Sequence, residues 1–220
     1  MPQRTHQTTL ILARHGETEW NLSGRIQGHT DSPLTALGAE QHRRVADRLS
    51  AVNIAAVYAS PSGRASDLGE LIAAQHGLSP IFAEDLRERC YGRFEGLTLA
   101  QIAEENSTAL DSWLVHPNRE LLAPPKGETQ ADMSRRVMSS LRDIITRHPG
   151  ETVAVATHGG PIKSAVFAVL DIPIAAWDRT WVTNGSLTTI RGLPDSLRVA
   201  CFNDTCHLNS TASRPRTIEG

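Results

Sequence analysis

The sequence predicts an α/β fold, a three-layer α/β/α sandwich with a mostly parallel sheet. Short β-type runs alternate with segments of helical periodicity along the 220 residues, which is typical of a sheet covered by helices on both faces. The run Thr152–Thr157 contains only small and β-branched residues, which indicates a central strand buried on both sides. Leu10–Ala13 is equally apolar and predicts another buried strand.

The remaining elements follow in order along the chain. A helix with one apolar face follows the first strand, and a second strand is predicted at Asn53–Ser60. Ser60 followed by Pro61 indicates a helix start, with a capping hydroxyl and a proline in the first helical position. A short strand near Ile81–Phe82, a long amphipathic helix before Thr152, a helix after that strand and two final strands complete the order.

We expect a single domain over residues 1–208. Residues 77–127 are less regular, and we interpret them as a lid-like insertion over the end of the sheet, not as a separate core. Residues 209–220 are polar and predict a loose tail.

Charge and hydropathy exclude several classes of function. The formal net charge is −2, so no bulk positive field gathers nucleic acid or an anionic membrane surface. No apolar stretch approaches the ~18 residues of a membrane span, and the polar N-terminus lacks the apolar region of a signal peptide. The scattered Cys90, Cys201 and Cys206 predict reduced thiols in a cytoplasmic protein. No pattern determines the oligomeric state, and a homodimer stays open.

Cationic and imidazole side chains follow three of the predicted strands. Arg14 and His15 end the first strand, Arg64 lies in the first turn after the second, and His158 follows Thr152–Thr157. Because the carboxyl ends of parallel strands meet at one edge of a sheet, we expect these four side chains to lie close together.

The chemistry of this cluster fits a phosphoryl group. An arginine guanidinium matches a phosphate in planar geometry, and the N-terminus of a helix favours an anion. Gly16 and Gly159 would let the backbone approach that anion closely. A neutral imidazole among arginines is a good nucleophile toward phosphorus, and a second imidazole can donate further hydrogen bonds.

Hydrolysis also needs an acid that protonates the leaving oxygen. Glu88, in the loop-like stretch "LRERCYGRFEG", is the strongest candidate, whereas Glu17 also fits a local capping role. The other carboxyl groups considered are Glu84, Asp85 and Glu95.

These segments resemble the signature of the histidine phosphatase superfamily, the phosphoglycerate-mutase-like proteins. The resemblance covers "LILARHGETEWN", "RIQGHTDSPLTALG", "VYASPSGRASDLGELI", "LRERCYGRFEGLT", "KGET" and "VAVATHGG" in the family's order. It implies a phosphoglycerate-mutase-like fold, phosphorylation of His15, a second catalytic imidazole at His158 and a general acid at Glu88. It also implies a phosphate pocket formed by Arg14, Asn21, Arg64 and the backbone N–H of Gly159. Neither a metal nor an organic cofactor is implied.

The length of the middle region resembles the phosphatase branch of the family more than the cofactor-dependent mutases. We therefore expect a metal-independent phosphomonoesterase for small phosphorylated metabolites, similar to the broad-specificity, phosphoserine and α-ribazole phosphatases. The ending "NDTCHL" resembles the last two types. Tyr91 stands where phosphoserine phosphatases of this kind usually carry histidine, which disfavours phosphoserine. The alternatives are a phosphoglycerate mutase and a phosphate-binding module without catalysis. Candidate contacts to the rest of the substrate are Gln27, Gly28, Tyr91 and His207.

Overall fold

The computed structural model describes residues 7–104 and 123–208. Within them, six strands form one sheet. The strands are β1 (Thr8–Arg14), β2 (Ala56–Ala59), β3 (Ile81–Phe82), β4 (Thr152–Thr157), β5 (Leu187–Leu193) and β6 (Ser196–Asp204). Their order in the sheet is β3-β2-β4-β1-β5-β6. The neighbours β3, β2, β4 and β1 are parallel, whereas β5 runs antiparallel to β1 and β6, so the sheet is mostly parallel as predicted.

Helices cover both faces of this sheet and confirm the three-layer sandwich. The helices are α1 (Glu19–Leu22), α2 (Ala36–Leu49), α3 (Gly63–Gln75), α4 (Gln130–Arg147) and α5 (Gly159–Leu170). Leu10 and Leu12 of β1 pack in one apolar cluster with α4 and α5, whereas Ile11 and Ala13 pack in a second cluster with α2 and α3. Successive side chains of a strand point to opposite faces, so β1 contributes to both cores.

The strands β2, β4 and β1 lie side by side, so their carboxyl ends meet. Arg14 is in register with Thr157, and the N–H of His15 donates to the carbonyl oxygen of Thr157 at 3.0 Å. Ser60, directly after β2, donates its N–H to the carbonyl oxygen of Ala156 at 2.9 Å. This register brings together the three strand ends that the sequence predicts to meet.

The helix after β2 begins later than predicted, and Ser60 does not cap it. The helix α3 begins at Gly63 with Ser62 as its cap residue. The hydroxyl oxygen of Ser60 accepts the N–H of Ser62 at 3.3 Å and lies 2.8 Å from Nε2 of His158. The Ser60 hydroxyl therefore bonds to the buried His158 and does not cap the helix. The residues around Pro61 carry no sign of this long-range contact.

The described part of residues 77–127, the predicted lid-like insertion, contains several short elements. Ile81–Phe82 is the edge strand β3, two 3-10 turns follow at Glu84–Leu86 and Gly92–Phe94, and residues 99–104 are helical. Residues 105–122 of the predicted lid and the predicted tail at 209–220 lie outside the described residues. Both apolar clusters lie on one sheet, which favours the prediction of a single domain.

Three observations on the described ranges concern membrane spans, metal sites and cysteines. No helix there is long and apolar enough to cross a membrane. Nor do three or more His, Cys, Asp or Glu side chains in those ranges form a group that could hold a metal ion. Cys90, Cys201 and Cys206 are free cysteines.

We expect Leu12→Ala to lower the free energy of unfolding by about 2–5 kcal/mol, because the truncation leaves a cavity in the core. Leu12 is 1% exposed on the middle of β1. Leu71→Ala is the matched control: Leu71 lies on α3, is 39% exposed, and its truncation should cost less than about 1 kcal/mol. Equilibrium urea denaturation measures both changes, and equal losses would contradict the placement of Leu12 in the core.

Candidate active site

His15 is buried at the end of β1 with one ring nitrogen already committed. Its Nδ1 lies 2.7 Å from the carbonyl oxygen of Gly16. Because a carbonyl oxygen only accepts, Nδ1 carries the proton and Nε2 keeps its electron pair. Burial, and then the charges of Arg64 and Arg14, lower the pKa of His15 well below its usual range. The ring is therefore neutral at physiological pH and presents Nε2 as a nucleophile.

Arg64, in the first turn of α3, is held next to this nitrogen. Its Nε lies 3.4 Å from Nε2 of His15. Its guanidinium donates to the carbonyl oxygens of Gly28 and Thr30 at 2.7 and 3.1 Å, and it pairs with Asp31 at 2.5 Å. Burial lowers the pKa of Arg64, and the charge of Asp31 opposes that change. Asp31 had no sequence signal, because it lies in a turn among ordinary turn residues.

Arg14 is a second cation at the same edge, and it is half-buried. Its Nη1 donates to the carbonyl oxygen of Val182, and its guanidinium carbon lies 6.0 Å from the centre of the Trp181 ring. Burial lowers the pKa of Arg14 to about 10, with the Glu88 carboxylate acting in the opposite direction, so the side chain stays cationic. Its Nε is buried and has no hydrogen-bond partner in the described part of the chain. Such an N–H is a suitable donor for an anion.

His158 faces His15 across the ends of β4 and β1. The two ring centroids lie 5.2 Å apart with the ring planes at 64°. The Nδ1 of His158 is buried and has no partner among the described residues. Burial, and then the charge of Arg64, lower the pKa of His158 well below its usual range. The two predicted imidazoles are thus adjacent, and Nδ1 of His158 is left for a ligand.

Glu88 reaches this edge from the loop after β3. Its Oε2 accepts the backbone N–H of Gly160 in the first turn of α5 at 3.0 Å, and its Oε1 accepts the N–H of Arg89 at 2.9 Å. A Cβ added at Gly160 would lie 2.0 Å from Oε1, so glycine is needed to make room for the carboxylate. The sequence pattern predicts Glu88 as the acid, but it does not indicate that the N–H of Gly160 binds the Glu88 carboxylate.

Glu95 has a structural role instead. Its carboxylate accepts hydrogen bonds of 2.6–3.0 Å from the N–H groups of His29, Thr30 and Tyr91 and from the Thr30 hydroxyl. Burial alone would raise the pKa of Glu95, but these hydrogen bonds lower it below its usual value. Glu95 therefore stays ionised and joins the loop at residues 28–30 to the loop that carries Glu88.

The other carboxyl groups considered from the sequence are also placed for local roles. Glu17 accepts the hydroxyl of Thr35, the cap residue of α2, at 3.0 Å. Glu84 and Asp85 are exposed. Glu88 is thus the candidate acid whose carboxylate lies at the start of α5 and lines the same cleft as His15.

A cleft of about 330 Å³ opens in front of this cluster. Gln27 is buried there, and its Oε1 has no partner within the described residues. Gly28 adopts a positive φ of 59° and offers its carbonyl to Arg64. Burial, and then the charge of Glu88, raise the pKa of Tyr91, so its hydroxyl stays protonated. The cleft is lined by Arg14, His15, Asn21, Gly24, Arg25, Ile26, Gln27, Gly28, Arg64, Glu88, Tyr91 and Leu99.

Asn21 lines the cleft and is oriented by its neighbours. Its Oδ1 accepts hydrogen bonds from the N–H and hydroxyl of Thr18 at 3.2 and 3.1 Å and from Nδ2 of Asn184 at 3.0 Å. With the oxygen occupied, Nδ2 is the end of the amide that remains for a ligand. Asn184 also donates to the carbonyl oxygens of His15 and Gly16, a positioning contact with no sequence signal.

Gly159, Gly16 and His207 lie differently with respect to the cleft. Gly159 is the first residue of α5, and a Cβ added to it would lie 3.5 Å from Nε of Arg14. A Cβ at Gly16 would instead lie 2.3 Å from the carbonyl oxygen of Gly38, so that glycine admits the start of α2 and not a ligand. Nε2 of His207 donates to the carbonyl oxygen of Gly185 at 2.8 Å, and the residue does not line the cleft, so its position does not support the expected substrate contact.

We expect the free energy of unfolding to fall as pH drops below about 6.5, by up to about 1.4 kcal/mol per pH unit for each buried neutral histidine. Burial lowers the pKa of His42 to about 4 and keeps the pKa values of His15 and His158 well below the usual range. Below about pH 6.5 the unfolded chain binds more protons than the folded chain. The full contribution of these histidines to the free energy of unfolding is therefore present only above that pH.

Urea denaturation at a series of pH values measures this slope. His42→Gln removes one of the three groups and should reduce the slope by the share of one histidine, whatever its effect on stability at neutral pH. A flat profile between about pH 6.5 and about pH 5 would contradict the neutral state of these rings.

Comparison with known proteins places this site in a family. A model of the histidine phosphatase superfamily (branch 1) matches residues 10–205. The metal-independent phosphoserine phosphatase of Arabidopsis thaliana is 31% identical over 215 residues, 97% of this chain and 88% of that protein. The probable phosphoglycerate mutase GpmB of Enterobacter sp. strain 638 is 34% identical over 184 residues, 82% of this chain and 83% of that protein. The structure of Bacillus stearothermophilus YhfR matches with a TM-score of 0.84 and 38% identity, over 91% of this chain and 99% of that chain.

The mostly parallel sheet, with imidazoles and arginines at its strand ends, defines a phosphoglycerate-mutase-like phosphoryl-transfer enzyme. The chain belongs to the histidine phosphatase superfamily, branch 1, and it is a phosphatase of that superfamily. The family and the fold expected from the sequence are thereby confirmed.

Proposed function

We propose that this chain hydrolyses small phosphorylated metabolites through a phosphohistidine at His15. The observation that carries the proposal is the fixed tautomer of this residue: Nδ1–H is bound to the carbonyl of Gly16 at 2.7 Å. That bond leaves Nε2 as the nucleophilic atom, at the mouth of a cleft that also contains Arg14, Arg64 and Glu88.

In the first half-reaction, the electron pair of His15 Nε2 attacks phosphorus and the ester P–O bond breaks. The guanidinium groups of Arg14 and Arg64 neutralise the non-bridging oxygens as charge develops on them, and the neutral imidazole of His158 donates a hydrogen bond to the same oxygens. The Gly159 N–H at the start of α5 and the Asn21 amide add donors to the same oxygens. Glu88 gives its proton to the leaving alcohol oxygen.

In the second half-reaction, the Glu88 carboxylate takes a proton from water while the water oxygen attacks phosphorus. The P–N bond breaks, Nε2 regains its electron pair and inorganic phosphate leaves. Substrate, water and side chains supply every atom of this cycle, so we propose that it needs no metal and no organic cofactor. The likeness to a metal-independent phosphoserine phosphatase supports this assignment.

We also propose Gln27, Gly28 and Tyr91 as contacts to the part of the substrate beyond the phosphate, since all three line the cleft. A small phosphorylated metabolite such as phosphoserine, the substrate in the name of one relative, suits a cleft of about 330 Å³. The composition supports a cytoplasmic enzyme without nucleic-acid or membrane partners.

The test is release of phosphate, with EDTA present, from 4-nitrophenyl phosphate, 3-phosphoglycerate, phosphoserine and α-ribazole phosphate. We expect turnover to be unchanged by EDTA, because no step uses a metal. One substrate far ahead of the others would indicate a dedicated phosphatase, and similar modest rates would indicate broad specificity. No release from any of the four would contradict the proposal.

A mutase is the second candidate, and the likeness to a probable phosphoglycerate mutase favours it. In a mutase the phosphohistidine returns its phosphoryl group to a second hydroxyl of the substrate instead of to water. The same incubation with 3-phosphoglycerate distinguishes the two: phosphate release indicates hydrolysis, and 2-phosphoglycerate without phosphate indicates mutase activity.

A further inference from the structure

Arg136, on the helix α4 behind the cleft, has all five N–H groups of its guanidinium matched by acceptors. Nε and Nη2 form a two-pronged ion pair with Glu128, at 2.7 and 2.8 Å. Nη1 donates to the carbonyl oxygens of Asp85 and Arg87, both at 2.8 Å, and Nη2 donates to the carbonyl oxygen of Glu88 at 2.9 Å. Five contacts for five N–H groups are a fit that only arginine can make, since lysine has three N–H groups and no fork.

Glu128 fixes the rest of the same loop. Its Oε2 accepts the backbone N–H of Cys90 at 3.3 Å, and its own N–H donates to the carbonyl oxygen of Cys90 at 2.8 Å. Its carbonyl oxygen accepts Nε of Arg89 at 2.7 Å. The side chains of Glu128 and Arg136 are 17% and 19% exposed, so the ion pair is shielded from solvent.

We propose that Arg136, with Glu128 as its counter-ion, is a positioning residue that holds the Glu88 carboxyl in line with the leaving oxygen. The proposal rests on the function of Glu88 as the general acid. Arg136 does not line the cleft. It binds the carbonyl oxygens of Asp85, Arg87 and Glu88, and the carboxyl of Glu88 accepts the N–H of Gly160 from that backbone. Without the hydrogen bonds from Arg136, the loop that carries Glu88 can move and its carboxyl leaves its position. The phosphate pocket at the strand ends stays intact.

The chain offers a matched control in the adjacent residue. Arg135 is 74% exposed and pairs with Asp132 on the helix surface at 2.7 Å. Arg136→Gln and Arg136→Lys are therefore compared with Arg135→Gln and Arg135→Lys. Glu128→Gln weakens the ion pair while keeping Arg136, and serves if Arg136→Gln fails to fold.

The readout is kcat for aryl phosphates of graded leaving-group pKa and for an alkyl phosphate such as phosphoserine. For Arg136→Gln and Arg136→Lys we expect about a 30–100-fold loss with the alkyl phosphate and less than about a fivefold loss with 4-nitrophenyl phosphate, which needs little protonation. Glu128→Gln should show the same pattern with a smaller loss. Inhibition by inorganic phosphate should stay within about threefold, and the Arg135 variants within about twofold, of the original chain.

Equal losses with good and poor leaving groups would overturn the positioning role, because general damage to the fold does not depend on the leaving group. Unchanged kcat in the Arg136 variants would overturn it as well. Glu88→Gln, measured on the same series, separates this proposal from the proposed function. If Glu88→Gln shows the leaving-group dependence and the Arg136 variants do not, only the role of Arg136 is wrong. If Glu88→Gln does not show it, the acid assignment fails and the role of Arg136 fails with it.

Discussion

His15→Ala is expected to lower kcat by on the order of 10⁴-fold or more, because the variant has no atom to receive the phosphoryl group. The direct measurement is acid-labile, alkali-stable phosphate bound to protein after rapid denaturation of enzyme mixed with labelled substrate. Wild-type chain should carry this label and His15→Ala should not.

His76→Ala is a suitable control for this experiment. His76 is the cap residue directly after α3, at the end opposite to Arg64, so its loss should leave kcat within about twofold of the original. A His15→Ala chain that kept more than about 1% of turnover, or that still formed the labelled protein, would show that another group is the nucleophile.

Glu88→Gln should lower kcat for alkyl phosphates by about 10²–10⁴-fold, the contribution of a positioned general acid. The loss should shrink as the leaving group improves, and inhibition by inorganic phosphate should be nearly unchanged, because the phosphate pocket lies on other elements. Both carboxylate oxygens accept backbone N–H groups, so a glutamine amide would turn its NH₂ toward one of these donors. Glu88→Ala, which has no such conflict, should show the same dependence on the leaving group.

Glu84→Gln provides the control within the same segment. Glu84 has a side chain that is 74% exposed and pairs with Arg87, so its loss should leave kcat within about twofold. If Glu88→Gln affected aryl and alkyl phosphates equally, protonation of the leaving group would have to be assigned to another carboxyl group.

The sequence was sufficient for the parts of the site that depend on strand pattern. Apolar runs locate β1 and β4, and the residue after each run is fixed at the sheet edge by the backbone itself. His15 and His158 were therefore predictable to the residue. Arg64 was predictable although the start of its helix was placed too early, because any start near Ser60 leaves that arginine in the first turns.

The supporting contacts were not predictable, because they depend on how loops pack in three dimensions. Asp31 and Arg64 form an ion pair although they are 33 residues apart in the sequence. Arg136 likewise binds the loop that carries Glu88, which lies about 50 residues before it. Charged side chains of this kind look the same in sequence whether they are solvated or buried. For His207, its place in the chain suggests a ligand contact, whereas its ring lies against the carbonyl oxygen of Gly185.

The meeting of three strand ends has a consequence for how the enzyme responds to its own product. β1 pairs with β4 across about 140 residues, from Thr9 to Thr152, so an anion can be held only by a chain whose sheet is complete. A ligand that binds the native state alone shifts the folding equilibrium by mass action, by about 2.7 kcal/mol at a concentration 100 times its Kd. Well above its Kd, inorganic phosphate would thus protect the chain against heat and proteolysis by a free energy that rises with the logarithm of the phosphate concentration. A newly made chain would gain this protection only after β4 has been synthesised.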